Sequence, residues 1–163
     1  MPATVCLQRE DFDIAAEVVA LTRGRTDIGA VVTFAGICRG DEAGDSIAAL
    51  TLEHFPEMAE AEIRRHVEEA QRRWMLLGVT VIHRYGRLMP GENIVLVVTA
   101  SSHRAEAFAG AEFLMDYLKT RAPFWKQVER TDGKNWVDAK VQDDAAAERW
   151  SKPEIPPVRR NKR

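Results

Sequence analysis

Helix-patterned segments alternate with pairs of β-rich runs along this chain, and that order constrains the fold more than any other feature of the sequence. Residues 11–23, 56–74 and 103–121 place apolar residues near helical spacing. Between and after them, 28–38 with 47–54, 79–86 with 93–101, and 124–130 with 134–140 read as strands in pairs. Paired strands between helices favour antiparallel neighbours and an α+β class, whereas the strict strand–helix–strand alternation of a doubly wound parallel sheet is absent.

Local signals punctuate these elements. Asp11 is placed to cap the first helix, and Pro56 opens the second, whose apolar stripe is Met58, Ala61, Ile63, Val67 and Ala70. Gly29 and Gly36 flank the first β-rich run, each suggesting a bend or a close backbone approach. Residues 39–46 read as a polar loop, and Pro90-Gly91 marks a turn. Ser102 is the expected cap of the third helix, and Pro123 stops it. Thr131-Asp132-Gly133 joins the last two strands, and 142–150 reads as a short helix.

The chain has 163 residues, enough to bury a core without disulfides or a structural metal. No repeat or linker divides it, so one domain is expected over 1–150, followed by a basic, proline-containing tail over 151–163. That tail holds five Lys/Arg and one Glu. Subtracting it leaves 18 basic and 24 acidic residues, a net −6, over residues 1–150. An acidic body argues against a nucleic-acid-binding face. The apolar runs are too short for a membrane helix, and the first residues lack a secretory pattern. Cys6 and Cys38 form no CxxC pair, and no Cys/His spacing suggests zinc, so a cytoplasmic protein with reduced thiols and no bound metal is expected.

The common nucleotide and hydrolase motifs are absent: there is no P-loop, GxGxxG or GxSxG. The basic residues carry more information. Lys119 and Arg121 close the third helix, where cations also simply suit the dipole. His103 and Arg104 open it, where cations oppose the dipole and an anion is favoured. Lys126 follows Phe124 and Trp125; strand alternation puts Phe124 and Lys126 on one face and Trp125 on the other. Such a lysine either loses its proton readily, as a base or nucleophile requires, or packs its stem on the aromatics. Arg39 reads either as a solvated strand end or as a phosphate fork next to Gly36.

The stretches 29–39 (GAVVTFAGICR), 44–54 (GDSIAALTLEH), 50–58 (LTLEHFPEM), 79–92 (VTVIHRYGRLMPGE), 98–108 (VTASSHRAEAF) and 115–126 (MDYLKTRAPFWK) together resemble the large, catalytic subunit of molybdopterin synthase, over about residues 28–150. The resemblance implies an α+β fold containing an α/β hammerhead. It implies sulfur transfer from the C-terminal Gly-Gly thiocarboxylate of a small ubiquitin-like subunit to cyclic pyranopterin monophosphate. The product is the molybdopterin dithiolene of the molybdenum cofactor. It also implies a homodimer of this chain with one small subunit at each outer end, a heterotetramer, and no cofactor of its own. By resemblance, Lys119 and Lys126 are the catalytic lysines. Arg39, His103 and Arg104 bind substrate, with backbone at Ile37, Cys38, Arg39, Lys126, Gln127 and Val128 lining the pocket. A second chain is able to add arginines that the sequence does not identify.

The chain departs from the family pattern at Ile37-Cys38, Gly40-Asp41 and Gln127-Val128: at 37–38 the change matters little if backbone amides bind and loses a family lysine side chain if they do not, and at 127–128 only backbone contacts carry over. A sulfur relay through Cys38 is unnecessary, since the partner already carries the sulfur. The competing readings are a non-catalytic module that docks a ubiquitin-like protein, which the retained cations oppose, and a nucleic-acid binder using the tail, which the acidic body opposes.

Overall fold

The computed structural model describes residues 2–130, 133–137 and 141–151. In chain order the elements are β1 (Ala3–Gln8), α1 (Ile14–Thr22), β2 (Ala30–Ile37), β3 (Asp41–Glu42), β4 (Asp45–His54), α2 (Pro56–Arg73), β5 (Leu76–Arg84), β6 (Gly86–Leu88), β7 (Asn93–Ser101), α3 (Arg104–Thr120), β8 (Phe124–Arg130), β9 (Gly133–Val137) and α4 (Val141–Glu148), followed by a 3₁₀ turn, Arg149–Ser151. The α+β class expected from the sequence is present.

One sheet runs β1-β5-β7-β2. Its centre is antiparallel, with Val81 opposite Val97 and Ile82 opposite Leu96. All of β5 is buried, because helices cover both faces. Val79, Val81, Val95 and Val97 meet Ile63, Val67 and Ala70 of α2 and Leu114 of α3, while Ile82, Leu96 and Val98 meet Phe12, Val18 and Leu21 on the α1 side. This two-sided burial explains the continuous apolar runs of the central strands.

The second sheet runs β3-β4-β8-β9, with β6 also paired to β4. On one face Leu50 lies opposite both Leu88 and Val128, Leu52 opposite Lys126, and His54 opposite Phe124. A small core of Cys38, Leu50, Leu52, Leu88 and Val128 packs there.

Several expectations are corrected. β1 lies in a segment where no element is expected, and it pairs in parallel with β5, against the otherwise antiparallel pattern. The polar loop at 39–46 contains the β3–β4 hairpin, whose Ala43 and Gly44 both have positive φ, 53° and 85°. The cap of α1 is Asp13, which accepts from the Ala16 amide, because Asp11 is occupied with Phe12 and Asn93. Ser102 does not cap α3: its hydroxyl donates to the Asp27 carbonyl, and His103 takes the N-cap position without a side-chain bond. On α2 the buried stripe is Ala59, Ile63, Val67 and Ala70, so Met58 and Ala61 face outward. The turn at 131–132 and the tail beyond Ser151 lie outside the described residues.

The two glycines of the first β-rich run behave as expected. A Cβ on Gly36 would lie 2.7 Å from Val95 Cγ1, and the register shifts directly after it. A Cβ on Gly29 would lie 2.3 Å from the Ser102 carbonyl oxygen. That contact is with backbone at the entrance to α3, so a side chain cannot rotate away from it. Gly29→Ala is therefore expected to destabilise the chain by about 1–3 kcal/mol, the usual cost of overpacking. The check is a urea unfolding curve, which should show a lower midpoint at an unchanged slope.

Candidate active site

The local chemistry of the candidate site begins with a histidine and a phenylalanine. His83 is buried near the end of β5, and Phe124 opens β8. Their rings stack with centroids 4.0 Å apart and planes inclined by 15°. His54 lies 5.8 Å from Phe124 and 4.4 Å from Tyr85, so four rings form one layer where the two sheets meet. His83 Nδ1 is 2.8 Å from the Arg84 carbonyl oxygen. A neutral ring makes that bond by donating from Nδ1, which leaves Nε2 without a proton. Burial pushes the His83 pKa down to about 4, and the positive charges of Lys119 and His54 push in the same direction.

The catalytic lysines of the resemblance flank this layer. Lys119 stands exposed near the C-terminal end of α3, within electrostatic reach of His83. Lys126 is half-buried on β8, and its charge acts on Cys38. Strand alternation holds as expected: Phe124 and Lys126 share the inner face, while Trp125 turns outward and meets Phe55 edge-on at 4.8 Å. Arg39 follows Cys38, is exposed, and pairs with Glu42 at 3.0 Å. Lys119, His83, Phe124, Lys126, Cys38 and Arg39 therefore form one continuous strip.

The remaining expected site residues separate into three groups. Ile37 ends β2 with its side chain 53% exposed. Cys38 is only 4% exposed, donates its amide to the Glu92 carbonyl at 2.9 Å, and accepts from the Gly91 amide at 2.7 Å. Burial raises its thiol pKa, with Glu92 adding to the rise and Lys126 and Arg39 opposing it. A thiol held protonated in this way is a poor nucleophile, which disfavours a sulfur relay. Val128 is fully buried, so its side chain is unavailable to a ligand, and Gln127 projects from the opposite face to Lys126.

His103 and Arg104 are not brought to the strip. Both are exposed at the N-terminal end of α3, whereas Lys119 sits at the other end. Sixteen residues of helix separate His103 from Lys119, or about 24 Å at the usual rise. Within one chain the expected site therefore divides into a lysine half and a His–Arg half. A hollow of about 570 Å³ borders the aromatic layer, with His54 and Tyr85 among its walls.

His83, His54 and Tyr85 were not singled out as site residues by the sequence. His83 sits among continuous apolar residues of a strand, where a ring polar at one edge is unusual, and that is the signal that marks it.

A sequence profile of the MoaE protein family matches residues 7–121. The molybdopterin synthase catalytic subunit of Mesorhizobium japonicum is 63% identical over 149 residues, covering 90% of this chain and 92% of that protein. A solved molybdopterin biosynthesis MoaE protein from Burkholderia ambifaria superposes with a TM-score of 0.78 at 48% identity, covering 92% of this chain and 99% of that one. A complex of subunits 1 and 2 of molybdopterin-converting factor from Helicobacter pylori shares the fold, with a TM-score of 0.63 at 20% identity, covering 86% of this chain and 91% of that one.

The neutral state of His83 has a consequence for stability. The unfolded ring takes a proton near its ordinary pKa, and the folded ring refuses one until about pH 4. Stability is therefore lost as pH falls from about 6.5 toward 4, by roughly 3 kcal/mol from this group. His83→Gln should flatten the dependence across that window. Urea midpoints at pH 7 and pH 4.5 for both proteins give the comparison.

Proposed function

The chain belongs to the MoaE protein family, and on that premise we propose that its reaction runs on the strip from Lys119 to Arg39, completed by His103 and Arg104 of a second copy. The activity is that of a molybdopterin synthase catalytic subunit in molybdenum cofactor biosynthesis. It works with a small sulfur-carrier subunit. Sulfur passes from the C-terminal thiocarboxylate of that subunit to cyclic pyranopterin monophosphate, building the dithiolene. Molybdenum is cargo that enters after this step.

One observation supports the assignment of residues: the Lys119 charge reaches the His83–Phe124 stack, and those of Lys126 and Arg39 both reach Cys38. Each type suits a demand of the chemistry. A thiocarboxylate is an anion, and the ammonium groups of Lys119 and Lys126 attract it and orient its sulfur. Attack of that sulfur on a side-chain carbon of the pterin expels an oxygen, which needs a proton as it leaves, and a lysine ammonium supplies one. The sulfur then bridges the substrate and the partner's C-terminal carbonyl. Water at that carbonyl cleaves the bridge and returns the partner as a carboxylate. The oxyanion formed on the way is stabilised by the neighbouring ammonium. The guanidinium of Arg39 is a planar fork for the cyclic phosphate.

The division of α3 supports a site shared between two copies. β2 is an edge strand, and it exposes Phe34 and Ile37 directly before Arg39. A second copy docked along this edge presents its His103 and Arg104 as further counter-charges for the phosphate. Two copies and two small subunits then make a symmetric heterotetramer with two sites. Among the described residues no helix is long and apolar enough to cross a membrane. Cys6 and Cys38 are free thiols, which suits the cytoplasm.

Two linked experiments test this reading. Lys119→Ala is expected to lower turnover at least about a hundredfold, the usual worth of a proton-transfer group, with the unfolding midpoint unchanged. Lys119→Ala and Arg104→Ala chains, each inactive alone, are expected to regain about a quarter of wild-type activity when unfolded together and reassembled, because each mixed dimer holds one intact site. Full activity of folded Lys119→Ala overturns the lysine assignment. Failure of the mixture to recover, with mixed dimers present, overturns the shared site.

A further inference from the structure

A cationic hollow lies on the far side of α3, and nothing in the sulfur-transfer chemistry uses it. It is a cavity of about 370 Å³ between α2, α3 and the 3₁₀ turn, with Arg65, His66, Tyr117, Arg121, Phe113 and Trp150 among its walls. Tyr117 and Arg121 are four residues apart on one face of α3. Lys119 is turned about 200° from Tyr117 around the helix and does not line the cavity.

Two features of its walls point to an anion, and a third makes its binding sensitive to pH. First, the Tyr117 hydroxyl has no hydrogen-bond partner although the residue is only 4% exposed, and such buried hydroxyls are ordinarily satisfied. Its ring is fixed by stacking on His66 with centroids 3.4 Å apart, and its oxygen feels the charges of Glu62 and Arg65. Second, Arg65 and Arg73 are matched by Glu62 and Glu69, while Arg121 has no ion pair among the described residues. The cavity therefore keeps an excess positive charge. Third, His66 Nδ1 is 2.8 Å from the Glu62 carbonyl oxygen, so a neutral ring leaves Nε2 unprotonated. Burial, Arg65 and Arg121 all press its pKa down, with the Glu62 carbonyl and carboxylate opposing them.

The roof is held in place by named bonds. Arg73 donates to the Trp150 carbonyl at 2.7 Å, and Trp150 Nε1 donates to Asp116 at 2.6 Å. Phe113 and Trp150 meet edge-on with centroids 5.8 Å apart, and the Arg73 guanidinium lies 5.0 Å from the Phe113 ring centroid. A cation, a hydroxyl donor and a titratable imidazole beside aromatic rings, in a cavity of small-molecule size, make a recognisable kind of site.

We propose that this cavity binds the phosphate group of a small phosphate ester, with Arg121 and the Tyr117 hydroxyl donating to its oxygens and its organic body against Phe113 and Trp150. A bound dianion reverses the electrostatics at His66. It offsets Arg65 and Arg121 and accepts a hydrogen bond from Nε2 once the ring is protonated. Binding and protonation of His66 thus support each other, with Glu62, Arg65, Glu69 and Arg73 on α2 and Tyr117 and Arg121 on α3 as the charged and titratable groups around the ring.

The test follows the His66 ring by NMR in the full chain, titrated in chloride, in inorganic phosphate and in phenyl phosphate at equal ionic strength. Both phosphates are expected to raise the His66 midpoint by about one unit relative to chloride, as a close opposite charge does. Tighter binding of phenyl phosphate than of inorganic phosphate indicates an ester ligand; equal binding identifies free phosphate as sufficient. Arg121→Gln, a change at an exposed position, should weaken the effect about tenfold, and Tyr117→Phe should weaken it while keeping the stack. Lys126→Ala should leave it intact, separating this cavity from the sulfur-transfer site. A midpoint that is the same in all three anions, or a phosphate effect unchanged in Arg121→Gln, overturns the proposal.

Discussion

The His83 imidazole lying flat on Phe124 is the contact on which the arrangement of the site depends. It joins the last part of β5 in one sheet to the first residue of β8 in the other. The stack requires a neutral ring, because a charged imidazole would have to leave water for an apolar layer. Burial supplies that neutrality, and the Arg84 carbonyl accepts a hydrogen bond from the ring's one N–H. An aromatic pair of this geometry contributes about 0.5–1.5 kcal/mol beyond the area it buries. Its larger effect is positional. Phe124 fixes the face on which Lys126 emerges, and the charge of Lys119 at the end of α3 reaches His83.

The candidate site is thus assembled by the junction of two sheets rather than by a motif in one loop. Glycine at position 29 lets the entrance to α3 press against the start of β2, and Lys119 then stands one residue before the end of that seventeen-residue helix. That length fixes what one chain can and cannot bring together. The lysines and Arg39 share a surface, while His103 and Arg104 stand at the far end of the same helix. The residues that would bind one substrate are therefore divided by the rigidity of α3, and the proposed pairing with a second copy would reunite them.

Much of this was legible in the sequence, and the exceptions have physical reasons. Helical periodicity around Ile63 and Val67 and the alternation of Phe124, Trp125 and Lys126 were read correctly, because burial on one face imposes a period on nearby residues. β1 was not read, because six residues ending in Leu-Gln carry little pattern and their partner strand lies some seventy residues later. The β3–β4 hairpin turns on Ala43-Gly44 rather than Asn-Gly, so the usual signal for two positive φ values is missing. Asp11 and Ser102 were plausible caps that tertiary contacts claimed first, for Asn93 and for the Asp27 carbonyl. The lysines were legible only through the family resemblance and the crowding of cations around α3. The aromatic layer beneath them depends on long-range packing of residues 54, 83, 85 and 124, and no local pattern encodes it.

The central claim is that this chain performs the sulfur transfer itself, on the surface formed where the sheets meet. The most direct test mixes the purified chain with a thiocarboxylated small subunit and cyclic pyranopterin monophosphate and measures molybdopterin. Product is expected only when this chain is present, in an amount limited by the thiocarboxylate supplied. A stable complex of chain and small subunit that yields no product, beside a control synthase that works in the same mixture, would contradict it and leave the chain as a docking module.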